Sequence, residues 1–135
     1  MSWKASLIRI STYEVELLQK RLAEIVARRW QVEMRIAALD AEVEAEAALD
    51  PALAEACIYL IGFQEGVRIR RAALEAELSS VEAEEAGARD ALSEAFEGLK
   101  KFEHVAETER VAAVKEAGRR ESAELDEVGL RRAAR

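Results

Sequence analysis

The chain carries few of the side chains that perform chemistry, and their spacing assembles no reactive site. His104 is the only histidine among 135 residues. Neither a pair of Glu-x-x-His motifs for a di-iron bundle nor a His-Glu-x-x-His zinc motif can therefore be built. Cys57 is the only cysteine, which excludes an internal disulfide and a cysteine-based zinc site. Glycines occur singly and form no phosphate-binding loop. We predict no catalytic, cofactor-binding or metal-binding residues and no enzyme, and we interpret His104 as a solvent-facing or partner-facing residue of a helix.

The charge pattern argues against a nucleic-acid partner. The formal net charge is -7, and 35% of the residues are charged. Arginine and glutamate are interleaved along most of the chain, whereas a phosphate-binding protein should show a basic stripe. We interpret the short basic clusters as solvated helix faces that carry ion pairs between residues four positions apart.

Apolar residues recur at alternating steps of three and four, which is the spacing of a coiled-coil seam. A first series runs over four heptads with one break at Arg29. Its members are Val15, Leu18, Leu22, Ile25, Val32, Ile36, Leu39 and Val43. A second series runs from Leu60 to Ala106 with a polar member at Glu85. The composition, with 5% aromatic residues, suits such a seam better than a thick globular core.

The two series are separated by Asp50-Pro51, where a helix should end because proline lacks the amide hydrogen. Asp50 could cap the next helix, with Pro51 at its first position. We predict an all-α protein, an elongated antiparallel two-helix coiled-coil hairpin in a single domain over 1–135. Helix one covers about 2–49, the turn about 49–51, and helix two about 52–133. At 1.5 Å per residue the helices would be roughly 70 and 120 Å long, so the second is the longer.

The seams also predict a register for the hairpin and an unpartnered tail. If the numbers of facing residues add up to about 103, each polar seam residue meets an apolar one. Arg29 then faces Leu74, Glu85 faces Leu18, and Trp3, Phe96 and Phe102 meet near the free end. The tail of helix two from Lys101 onward, residues 101–135, has no partner in the chain and is expected to be frayed or held by another protein.

The first turns of helix two are apolar almost all the way round, from Cys57 to Phe63. Either Ile58, Ile61 and Phe63 fold over the hairpin turn, or they form an exposed patch for a partner. The longest uncharged run, Ala56 to Gln64, is far shorter than the ~20 residues that span a bilayer. The N-terminus has no long apolar stretch typical of a secretory signal, so we expect a cytoplasmic protein.

Three segments of the chain resemble the FliJ family, the small soluble stalk proteins of the flagellar type III export apparatus. YEVELLQKRLAEI is similar to the family's first helix, and ALSEAFEGLKKFEHVAE to its basic segment with Phe or Leu before Glu. ESAELDEVGLRR is similar to its Glu-x-x-Glu-Leu-Asp-Glu ending. The resemblance spans nearly the whole chain.

This resemblance implies a function in flagellar protein export, within bacterial flagellum biogenesis and motility. Such a stalk would bind the hexameric export ATPase ring and the cytoplasmic domain of the export-gate membrane protein, help couple energy to export, and escort export chaperones. It would lie in the cytoplasm, peripheral to the membrane at the basal body, without cofactors or nucleic acid. The ring contact maps to the Trp3 end and the tail, and the gate contact to the start of helix two. The implied partner-binding residues are Tyr59, Ile61, Phe63, Glu121, Glu124, Leu125, Asp126 and Glu127.

A rival interpretation from the residues alone is a homo-oligomeric structural or scaffolding coiled coil with no export role. The tail could pair with a second copy, and the seam residues Arg29 and Glu85 could specify its register. The mass in solution discriminates the two, because a stalk should be a monomer and a scaffold a stable dimer.

Overall fold

The computed structural model describes residues 3–48 and 54–134, with side chains for residues 3–48 and 57–134. These residues form two helices, α1 (Trp3–Glu46) of 44 residues and α2 (Ala54–Ala133) of 80 residues. The all-α prediction and the longer second helix are confirmed. Helix α1 ends three residues before the predicted position, because Ala47 and Ala48 form a turn. The predicted break at 49–51, with capping by Asp50 and Pro51, lies outside the described residues.

Most of the predicted seam positions are buried or half-buried, whereas Phe102 in the second series is exposed. All eight apolar members of the first series are buried or half-buried, and so are Ile8 and Ser11 before it. Most side chains between them are exposed, although Thr12, Val26 and Glu33 are half-buried. The core is therefore thin, one seam wide. Its fully described buried apolar members are Val15, Ile25, Val32, Leu39, Val81, Ala88 and Leu99.

The chain divides into two compact units. Unit 2 is Glu16–Leu92, and in it α1 and α2 run antiparallel. A ladder of ion pairs one heptad apart joins the helices, at 2.6 Å for Arg28–Glu84, 2.6 Å for Arg35–Glu77 and 3.1 Å for Glu42–Arg70. Each pair of residue numbers adds up to 112, so the predicted register of about 103 is wrong. Apolar layers recur every three or four residues, so the seam alone tolerates several registers, and the flanking charges select one.

The corrected register brings the two polar seam residues together. Arg29 Nε lies 3.0 Å from Glu85 Oε2, at an angle that does not make a hydrogen bond. Glu85 is buried and is also 2.8 Å from Arg89, while Arg29 is 3.5 Å from Glu33. The prediction that each polar residue would face an apolar one is therefore wrong. A charged pair costs less in a seam than a lone buried charge, because each partner offsets the desolvation of the other.

Unit 1 consists of Met1–Val15 and Ser93–Arg135. Val15 and Leu99 are buried in it, and an ion pair joins Lys4 to Glu109. The partner of α2 therefore continues past residue 101, where the predicted tail began. Glu103 and Ala106 are still half-buried, and every residue from Glu107 to Ala134 is exposed. This C-terminal segment, residues 107–134 and hereafter the tail, is helical up to Ala133.

Candidate partner-binding surfaces

Clusters of metal ligands are absent from the described residues. No group of three or more His, Cys, Asp and Glu side chains there could hold a metal ion. His104 is exposed, and its backbone carbonyl accepts a hydrogen bond from the Thr108 hydroxyl at 2.9 Å. Within the same residues, neither helix offers a stretch long and apolar enough to cross a membrane. The surfaces that remain as candidate sites are those that expose apolar side chains.

The start of α2 presents two apolar faces. Tyr59 and Phe63 lie one turn apart and stack, with ring centroids 6.1 Å apart and an interplanar angle of 15°. Ile61 lies about 200° from Tyr59 around a helix with 100° per residue, and shares its side with Ile58. Both isoleucines are exposed, and the turn over which they were predicted to fold lies outside the described residues. The predicted set Tyr59, Ile61 and Phe63 is thus divided between opposite faces.

The last residue of α1 reaches this aromatic face. Coulombic repulsion from the Glu46 carboxylate raises the pKa of Tyr59, and partial desolvation and a hydrogen bond to Glu46 add to the shift. Each of these effects disfavours the phenolate. Tyr59 is therefore held as a neutral hydroxyl beside a carboxylate, which gives this face one polar group at the edge of a ring pair.

The tail exposes a second apolar surface. Its apolar residues recur at heptad spacing, in a phase that differs from that of the seam upstream. The series, hereafter the tail stripe, is Val111, Val114, Gly118, Glu121, Leu125 and Val128, in which Gly118 and Glu121 interrupt the apolar members. Leu125 is 66% exposed. Leu130 is exposed to a similar degree, 72%, but lies on the opposite side of the helix from the stripe.

The structure separates the predicted tail residues by role. Glu121, Glu124 and Leu125 lie within about 100° of one another and belong to the stripe side of the helix. Asp126 points away from that side, and Glu127 is engaged by Arg131 at 2.8 Å. Glu107–Arg110 and Glu116–Arg119 form intrahelical pairs, and in both the arginine hydrogen bond lowers the pKa of the glutamate. Leu125 is the only apolar member of the predicted tail set.

A small apolar pocket opens between the helices in unit 1. It encloses about 180 Å³ and is lined by Trp3, Lys4, Leu7, Phe102 and Val105. The Lys4 ammonium lies 5.3 Å from the Trp3 ring centroid. Trp3 and Phe102 therefore share a site as predicted, but Phe96 does not line it and lies beneath Lys100, 5.1 Å away. Phe96 was misplaced because its assignment depended on the wrong register.

One exposed surface, the outer side of α1, was not predicted from the sequence. Trp30 and Met34 are exposed there, one turn apart. Trp30 and Met34 belong to a second apolar series on the far side of the helix. It has the same period as the first series, and only the first was assigned to an interface. That second period was readable from the sequence alone.

Comparison with known proteins gives the chain close relatives. It is 55% identical over 132 residues to "Flagellar FliJ protein" of Caulobacter vibrioides strain NA1000 / CB15N. The match covers 98% of this chain and 95% of that protein. A protein with the same description from Caulobacter vibrioides strain ATCC 19089 / CIP 103742 / CB 15 matches with the same identity and coverage. No protein-family model and no solved structure matches the chain.

Proposed function

The chain belongs to the FliJ family of flagellar proteins, and we propose that it is a coiled-coil stalk of flagellar protein export. The tail contacts the hexameric export ATPase, and the start of α2 contacts the cytoplasmic domain of the export-gate membrane protein. The chain helps to couple energy to substrate export and escorts export chaperones. It acts in the cytoplasm at the basal body, peripheral to the membrane, and needs no cofactor.

The observation that carries the ATPase contact is the exposure of the tail. Every residue from Glu107 to Ala134 is exposed, yet Val111, Val114, Leu125 and Val128 repeat at heptad spacing. An apolar heptad stripe is typical of a helix that packs against another helix. No described residue of α1 covers these side chains, so the stripe is free to pack against a helix of another molecule. An export ATPase subunit is the partner that family membership favours.

The start of α2 supports the second contact in the same way. Ile58 and Ile61 form one exposed apolar face, and Tyr59 stacks on Phe63 on the other. Aromatic side chains with a polar tip are enriched in the centres of protein interfaces. The two surfaces lie in different units, so one variant should remove one contact without the other.

The ATPase contact is tested with charged substitutions in the stripe of the full-length chain. We expect Val114→Asp/Leu125→Asp to lose binding to the purified export ATPase, because both side chains would be desolvated in the contact. Leu130→Asp is the matched control for the Leu125 position, since it places one such charge on a similarly exposed leucine outside the stripe. Binding is measured by pull-down and by biolayer interferometry, with circular dichroism to verify helix content.

Two results would contradict the assignment. Unchanged ATPase binding by Val114→Asp/Leu125→Asp would remove the tail stripe from the contact. Equal loss in the Leu130→Asp control would show that charge anywhere on the tail is disruptive, without a defined face. For the gate contact, Ile58→Ser/Ile61→Ser should lose binding to the gate cytoplasmic domain while it retains binding to the ATPase.

A further inference from the structure

The outer side of α1 in unit 2 carries a second heptad series that the hairpin does not use. Eight residues at alternating steps of three and four are all exposed. They are Lys20, Ala23, Ala27, Trp30, Met34, Ala37, Ala41 and Glu44. We call this series the outer stripe, and it extends for about 36 Å along the helix. Trp30 is 62% and Met34 55% exposed, so the centre of the stripe places two large apolar side chains in solvent.

The outer stripe of one chain is complementary to the outer stripe of a second chain that runs in the opposite direction. An antiparallel second copy, centred between Trp30 and Met34, places Trp30 of each chain against Met34 of the other. Ala27 then meets Ala37, Ala23 meets Ala41, and the small side chains let the two helices approach closely. At both ends Lys20 meets Glu44, and neither side chain has an ion-pair partner among the described residues. In an antiparallel arrangement, every layer pairs an a position of one chain with a d position of the other.

We propose that the outer stripe is a homodimer interface in which α1 pairs with α1 of a second copy about a two-fold axis. A two-fold interface uses the same patch on both molecules, so a patch must be self-complementary to form one. The Trp30–Met34 contacts supply apolar area and a favourable sulfur–aromatic geometry at the centre. The Lys20–Glu44 pairs set the antiparallel direction, because a parallel arrangement would oppose like charges in every end layer.

Neighbouring charges permit this arrangement. Glu33 is the acidic residue nearest the axis on one flank, and its carboxylate already lies 3.5 Å from Arg29 of the same chain. On the other flank the residue nearest the axis is Gln31, which is neutral. Arg28 and Arg35 are directed to Glu84 and Glu77 of α2. Repulsion across the axis is therefore confined to Glu33 of one chain and Glu33 of the other. Arg29 of each chain offsets it.

This dimer forms through α1 and is reversible, so it differs from the stable scaffold that would pair through the tail, and it does not depend on the proposed export function. The outer stripe shares no residue with the tail stripe or with the start of α2. The contact is short and its buried apolar residues are mostly alanines, so we expect a reversible dimer.

The first test is the mass of the full-length chain as a function of concentration, by sedimentation equilibrium. We expect Trp30→Ala to raise the dimer dissociation constant at least about 100-fold, because the two-fold loses two central aromatics at once. Ile69→Ser is the matched control, since Ile69 is 59% exposed in the same unit but lies on α2. Lys20→Glu should weaken the dimer about tenfold, and Lys20→Glu/Glu44→Lys should restore it.

The second test fixes direction and register by disulfide trapping in a Cys57→Ser background. A mixture of Ala27→Cys chains and Ala37→Cys chains should cross-link, whereas either chain alone should not. A mixture of Ala27→Cys and Ala23→Cys is the control that should remain uncross-linked. A monomer at all concentrations together with no trapping would overturn the proposal. Efficient self-trapping of Ala27→Cys would also overturn it, because it requires a parallel pair.

Discussion

The polar layer in the seam of unit 2 offers a quantitative test of the packing. Arg29 and Glu85 face each other in the seam of unit 2. The other predicted seam residues of this unit are apolar. We consider the replacement of both residues by leucine, Arg29→Leu/Glu85→Leu. Glu85 is 8% exposed, and 30% of the Arg29 side chain is exposed. The new layer would therefore bury one leucine almost completely and the other in large part.

The expected gain follows from two opposing quantities. Burial of a leucine side chain stabilises by about 1.5–3 kcal/mol, and the more exposed position should contribute roughly half of that. Loss of the partly exposed ion pair costs about 0.2–1 kcal/mol. The double substitution should therefore raise the free energy of unfolding by roughly 2–3 kcal/mol, as when buried ion pairs elsewhere are replaced by apolar residues. Arg29→Leu alone should destabilise slightly, because it leaves the buried Glu85 with Arg89 as its partner.

Urea unfolding followed by circular dichroism at the helix band measures these differences. The two single variants and the double variant form a cycle, and we expect a coupling free energy of about 1–2 kcal/mol between the positions. A double variant that unfolds at lower urea concentration than the natural chain would refute the account. It would mean that the polar layer contributes more than apolar packing could replace.

Three further predictions concern single positions. The hydrogen bond from Arg28 lowers the pKa of Glu84 below the ordinary value of 4.5. The ionised Glu84 therefore stabilises the fold above pH 4.5, and this stabilisation is lost as the pH falls through the pKa of the folded state. The urea midpoint should drop on acidification, and it should drop less in Arg28→Gln. Gly87→Ala should raise the free energy of unfolding by about 0.5–1 kcal/mol in a calorimetric or urea experiment, because the added methyl group would meet nothing within 4 Å beyond its chain neighbours and the nearby backbone of its own helix. A loss of stability would show that something covers Gly87. Glu46→Gln should return the pKa of Tyr59 toward 10.0 in an NMR titration of the ring, and an unchanged pKa would separate Tyr59 from Glu46.

The helices and the seam could be predicted from the sequence because heptad spacing determines which side of a helix is buried. Val15, Ile25, Val32 and Leu39 were assigned to the seam from their spacing alone, and all four are buried. The same spacing could not determine the register. Apolar layers are nearly interchangeable along a seam, so the ion pairs beside it decide which layers face each other.

The candidate surfaces were predictable only in part. The exposure of Ile58 and Ile61 could not be decided from the sequence, because it depends on how far α1 extends alongside α2. The start of the free tail was placed at Lys101, whereas exposure begins at Glu107, and the same register error explains the difference. The outer stripe was present in the sequence as a second heptad series, and its exposure became apparent only when α2 was placed on the other side of α1.

Hydrogen exchange on the full-length chain, free and with the export ATPase, tests the central claim most directly. Tail amides have no tertiary packing to protect them, so amides of residues 111–133 should exchange fast in the free chain. Addition of the ATPase should slow them strongly and leave Glu16–Leu92 unchanged. Protection confined to the start of α2, or no protection anywhere in the chain, would contradict the assignment of the tail stripe as the ATPase contact.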